Sequence, residues 1–102
     1  MPHAYVALLL IHLHFPDAAS LKEKRKELSS VKAQLRTRLG VAVSEVDGQD
    51  TWQRSTLSIA LTSGSMHELG RGVERVERFL YDRFQGAVRI SRSFASANDL
   101  SS

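Results

Sequence analysis

The sequence has no cysteine. Disulfides, thiolate nucleophiles and thiolate metal ligands are therefore excluded, and the chain suits a reducing cytoplasm. It also lacks a long apolar run. Tyr5 to Leu13 is about half of the roughly 20 residues that a helix needs to cross a bilayer. No basic stretch precedes it and no small-residue cleavage site follows, so neither a membrane anchor nor a secretory leader is expected. Repeats and linker-like segments are missing too. So are the common catalytic frames: there is no G-x-S-x-G, no P-loop and no G-x-G-x-x-G. A general acid/base pair can be drawn from His12 and Asp17, but nothing around them selects it.

What is present is positive charge, unevenly spread. The 102 residues carry a formal charge of +3, and ten of the fourteen basic residues are arginine. Between Ser20 and Leu39, seven Lys or Arg face two Glu, which gives +5; between Ser65 and Phe84, four Arg balance three Glu and one Asp. One element therefore carries the basic character. A polyanionic partner and a merely solvated basic helix are both consistent with that count.

The basic stretch, S-L-K-E-K-R-K-E-L-S-S-V-K-A-Q-L-R-T-R, is predicted to be a helix. Ser20 with Glu23 three residues on has the pattern of a capping box, and Gly40 supplies a stop. At about 100° per residue, Leu21, Leu28, Val31, Leu35 and Leu39 fall within about 80° of one another. Lys22, Arg25, Lys26, Lys32 and Arg36 fall along one flank of that stripe. A second helix is expected from Ser65, capped with Glu68, through Met66, Leu69, Val73, Val76, Leu80 and Phe84 to a stop at Gly86. Gly70 and Gly72 within it are read as points of close backbone approach.

Four strands remain. Ala4 to His14 is apolar on both faces and ends at Pro16-Asp17, as a central strand would. Val41 to Asp47 and Trp52 to Thr62 flank the turn Gly48-Gln49-Asp50. Ala87 to Phe94 is the last strand, and 95–102 is expected to be a flexible tail. The order βαββαβ predicts one α+β domain over residues 1–102. It is a ferredoxin-like sandwich, with a four-stranded antiparallel sheet in the order 4-1-3-2 and both helices on one face. The bare face then carries Val6, Leu8 and Leu10 beside Thr56, Ser58 and Ala60. It lacks the aromatic residues on which RNA-recognition motifs stack bases, so it suits protein packing better. Val6, Leu8 and Leu10 are the interface candidates, most simply for a homodimer.

Two clusters invite a metal reading. Glu45, Asp47 and Asp50 can be a cation site or a hairpin tied by side-chain bonds to the backbone and to Arg54. Gln53 and Arg54 favour the hairpin, and Trp52 is expected to pack at its mouth. His12 and His14 share a strand face, but a zinc site needs further ligands and His67 has no reason to converge. No metal and no cofactor are expected.

At S-L-K-E-K-R (Ser20 to Arg25) and E-V-D-G-Q-D-T-W-Q-R (Glu45 to Arg54), the chain resembles the YlxP-like family, a bacterial domain of unknown function numbered 503. The resemblance runs from about Tyr5 to about Ile90. It implies the ferredoxin-like fold and no established activity. It directs attention to Asp47, Gln49, Asp50, Trp52, Gln53 and Arg54 as the family-motif hairpin. Family genes tend to lie among those for translation initiation and ribosome maturation, which implies a link to RNA or the ribosome by neighbourhood. The leading expectation is thus a small cytoplasmic, non-enzymatic module that binds structured RNA. Its nucleic-acid-binding candidates are Lys22, Arg25, Lys26, Lys32, Arg36 and Arg54. A homo-oligomeric protein-binding adaptor is the alternative, and an enzyme using the acidic hairpin is the remote one.

Overall fold

The computed structural model describes residues 3–101. The elements are β1 (Tyr5–His14), α1 (Leu21–Leu39), β2 (Ala42–Asp47), β3 (Arg54–Ser63), α2 (Met66–Phe84), β4 (Val88–Ser96) and α3 (Ala97–Leu100). The strands make one antiparallel sheet in the order β2-β3-β1-β4. This is the ferredoxin-like α+β sandwich that the sequence predicts. Among the described residues, no helix is long and apolar enough to cross a membrane.

Alternation along β1 decides which face is covered. Ala7, Leu9, Ile11 and Leu13 are buried beneath the helices with Leu57 and Ile59 of β3. Leu8 and Leu10 point the other way and stay exposed. Both faces of β1 are apolar, yet one alone is covered in the chain.

Helix α2 lies across β1, β3 and β4 and buries Leu69, Val73, Val76, Leu80 and Phe84. At about 1.5–3 kcal/mol gross for each fully buried side chain, these outweigh the roughly 1 kcal/mol that each helical glycine costs. Gly72 has a packing reason: a Cβ there would lie 3.1 Å from Leu61 Cδ2. Gly70 does not, since nothing lies within 4 Å of such an atom. Met66, expected in the apolar stripe, is exposed because it sits in the first turn and lines an open groove with Tyr5 and Phe94. The Phe84 ring meets Phe15 edge to face, with centroids 5.7 Å apart, and closes one end of the core.

The caps differ in detail from the sequence pattern. Ser20 Oγ accepts from Glu23 N, but Glu23 Oε2 accepts in return from Ala19 N rather than from Ser20. Ser65 Oγ accepts from Glu68 N, while Ser65 N donates to Ser63 Oγ. The complete capping box is at Ser96 and Asp99, at the start of α3. Gly40 ends α1 in the left-handed conformation; α2 ends one residue before Gly86, at Gln85.

The stretch expected to be a loose tail is regular instead. Ala95 and Ser96 continue β4 opposite Val6 and Tyr5, and Ala97 N donates to Ala4 O. The long β1 offers pairing partners that a polar, small-residue composition does not reveal. Ser102 lies outside the described residues.

Candidate functional site

The start of α1 and the β2–β3 hairpin form one unit, and its centre is a lysine. Lys24 is completely buried. Its Nζ donates to Gly48 O at 2.6 Å and to Thr51 O at 2.7 Å, and lies 3.5 Å from Glu45 Oε2. An ammonium has three donors, and these partners use them all. Arg25 reinforces the clasp. Its guanidinium donates to Gln49 O at 2.7 Å and approaches Glu45 Oε1 at 3.5 Å. Three turn carbonyls, those of Gly48, Gln49 and Thr51, thus accept from two consecutive side chains of α1, and Gly48 O also accepts from Thr51 N within the turn.

Glu45 sits between them, with its side chain 8 % exposed. Burial opposes its charged form. The Ser55 hydroxyl, donating at 2.7 Å, together with Lys24 and Arg25, outweighs burial and holds the carboxyl below its ordinary range. Gly48 has φ +82°, and a Cβ there would lie 2.8 Å from Arg54 O, so the turn accepts glycine and little else. A bulge between Glu45 and Asp47 turns Asp47 outward, where its Oδ1 accepts from Gly48 N and its Oδ2 lies 3.9 Å from Arg54.

The three acids therefore diverge. Glu45 faces α1, whereas Asp47 and Asp50 are exposed. Among the described residues, no group of three or more His, Asp or Glu is placed to hold a metal ion. Gln53 contributes its backbone, accepting from Phe15 N at 2.8 Å. Trp52, expected to pack at the mouth of the hairpin, is instead 47 % exposed, while the space beneath the turn is occupied by the Lys24 ammonium.

The basic flank of α1 splits into two kinds of cation. Arg25 and Arg36 are tied to main-chain carbonyls, Arg36 NH2 to Val43 O at 3.0 Å, yet both remain exposed. The side chains of Lys22, Lys26 and Lys32 make no ion pair or hydrogen bond among the described residues. Arg54 is not part of this flank. It lies opposite His14 on the open side of the sheet.

The interface candidates lie together on that open side. Leu8 is 46 % and Leu10 38 % exposed, with Val6 half-buried beside them. In register, Ala60 and Ser93 flank Leu8, and Ser58 and Ser91 flank Leu10.

Lys24 is the residue that the sequence-based site reading passes over. Its signal was present: at about 100° per residue it falls between Val31 and Leu35, inside the apolar stripe. It takes the core position expected for Leu21, which is 37 % exposed.

A ferredoxin-like sandwich whose first helix clasps its first hairpin through a buried lysine defines the structural class. The chain belongs to the family described as protein of unknown function (DUF503), whose model matches residues 6–92. It is 39% identical over 64 residues to the uncharacterized protein YlxP of Bacillus subtilis (strain 168), covering 63% of this chain and 70% of that protein. Among solved structures, it resembles the de novo designed protein Foldit4, with a TM-score of 0.56 at 12% identity, covering 90% of this chain and 96% of that one. It also resembles a mutant of SnoaB, a cofactor-independent oxygenase from Streptomyces nogalater, with a TM-score of 0.49 at 10% identity over 91% and 92% of the two chains. At these identities the likeness to solved structures is one of fold alone.

Proposed function

We propose that the chain is a non-catalytic cytoplasmic module that binds structured RNA, on or near the ribosome, through the exposed flank of α1. The observation that carries this reading is that Lys22, Lys26 and Lys32, on one flank of α1, have no acidic partner among the described residues. An unpaired row of cations on one helix is the electrostatic footprint of a phosphate backbone. Arg25 and Arg36 add to it. Each is already fixed by a main-chain carbonyl, so less side-chain entropy is lost when it meets a phosphate.

The test is co-purification with ribosomal particles, and filter binding to structured RNA, across a salt series. Affinity is expected to fall steeply with salt, and the duplex-DNA slope of about −0.9 per phosphate contact sets the upper scale. Lys22→Glu with Lys26→Glu is expected to abolish binding and keep the circular dichroism spectrum. Arg25 is left intact, because reversing its charge would open the hairpin. Salt-independent binding, or full binding by the double variant, would sink the reading.

A second reading rests on a separate observation, the exposure of Leu8 and Leu10 at the centre of an uncovered sheet face. Large aliphatic side chains flanked by alanine and serine let another surface approach closely. A second copy of the chain, stacked face to face, is the occupant we propose, because a two-fold axis brings the same apolar strip onto itself.

A further inference from the structure

The end of the open sheet face opposite α1 gathers basic groups from three strands. Register sets Arg54 of β3 directly opposite His14 of β1, and Arg89 of β4 directly opposite His12. With Thr56 and the 86–88 segment, these side chains line a cleft of about 310 Å³. Thr56 is buried, and its Oγ1 lies 3.3 Å from His12 Nδ1, which fixes the imidazole against the cleft floor.

Little in the fold neutralises this cluster. Arg89 and His14 have no side-chain partner among the described residues. The acid within ion-pair reach is Asp47, 3.9 Å from Arg54 and itself exposed. An arginine directly across a sheet from a protonatable imidazole adds nothing to strand pairing and opposes it when the ring is charged. Burial does not explain the grouping either, since Arg54, Arg89 and His14 are exposed. An anion does explain it.

We propose that this cleft binds a phosphate group. Arg89 can present parallel N–H donors to two phosphate oxygens. Arg54 can turn from its long contact with Asp47 to a third oxygen. The imidazole of His14 and the hydroxyl of Thr56 offer shorter-range donors at the mouth and floor. The volume lies at the small end of ligand sites, about 300–1,000 Å³, and so admits a phosphate with a modest group attached. The cleft and α1 lie on opposite sides of the sheet, so the proposal stands apart from the helix-borne RNA reading.

The experiment is an NMR titration of the full chain, following the imidazole signals of His12 and His14, assigned with His12→Gln and His14→Gln. The probes are inorganic phosphate, AMP, adenosine and a short oligoribonucleotide without terminal phosphates. Phosphate and AMP are expected to move both imidazole signals saturably, and adenosine to leave them in place. Arg89→Gln, at an exposed strand position, is expected to weaken AMP binding by on the order of tenfold to a hundredfold, as the loss of charge-assisted hydrogen bonds predicts. Response to AMP but not to the oligoribonucleotide identifies the ligand as a phosphomonoester. A stronger response to the oligoribonucleotide identifies it as a nucleic-acid backbone phosphate. The proposal is overturned if neither phosphate nor AMP shifts the imidazoles, if adenosine matches AMP, or if Arg89→Gln binds as the parent does.

Discussion

The ammonium of Lys24 lies 2.6 Å from the carbonyl oxygen of Gly48, and the lysine is wholly shielded from solvent. This contact joins the two sequence motifs of the family, S-L-K-E-K-R and E-V-D-G-Q-D-T-W-Q-R, into one structural unit. Three residues of the second motif then have a physical cause. Glu45 balances the buried charge, Gly48 lets the turn bring its carbonyl to the lysine, and Thr51 supplies another acceptor. Much of the motif's specificity is thus spent on architecture, and the exposed residues beside it remain free for partners.

Removing the lysine should be costly. Lys24→Met keeps most of the volume but removes the buried partner of Glu45 and the side-chain donor to the Gly48 and Thr51 carbonyls. The expected loss is about 3–5 kcal/mol, the usual cost of breaking one half of a buried ion pair. Urea denaturation measures it. A loss below about 1 kcal/mol would mean that the turn re-solvates easily, as exposed pairs do.

The glycines should separate sharply. Gly48→Ala meets both a left-handed backbone and a carbonyl at 2.8 Å, so it should destabilise by about 1–3 kcal/mol or more. Gly70→Ala, in open space within α2, should stabilise by about 0.5–1 kcal/mol. Thermal melts of the two variants should move in opposite directions.

Glu45 sets an acid limit. Its folded-state pKa is lowered, so its ionised form stabilises the fold. That contribution is complete above the unfolded carboxyl's value, about 4.3, and is lost as the pH falls through the lower folded value. Glu45→Gln should therefore be less stable than the parent at neutral pH. The gap should close on acidification, and denaturation midpoints from pH 7 downward follow it. A gap independent of pH would assign the effect to packing.

The open sheet face gives an assembly prediction. Leu8→Glu with Leu10→Glu should convert a dimer into a monomer and leave the helix-covered core intact, because these residues face away from it. Light scattering at micromolar concentration reads the state. A monomeric parent would remove self-association and assign the face to a foreign partner.

The sequence by itself determined the element order, the sheet topology and the covered side of α2. These follow from local periodicity and capping residues, which act over a few positions and are visible in one dimension. The apolar series of α2 and the stop at Gly40 were legible for that reason. Tertiary structure alone decided what the charges do. Lys24 and Lys22 are the same residue type two positions apart, yet one is sealed beneath the hairpin and the other faces solvent. Arg54 adjoins the acidic turn in sequence, but strand pairing carries it to His14 on the far side of the sheet. A charge has no period. Its role depends on which carbonyls, acids and imidazoles the fold brings within a few ångströms, and those partners come from strands and turns remote in sequence.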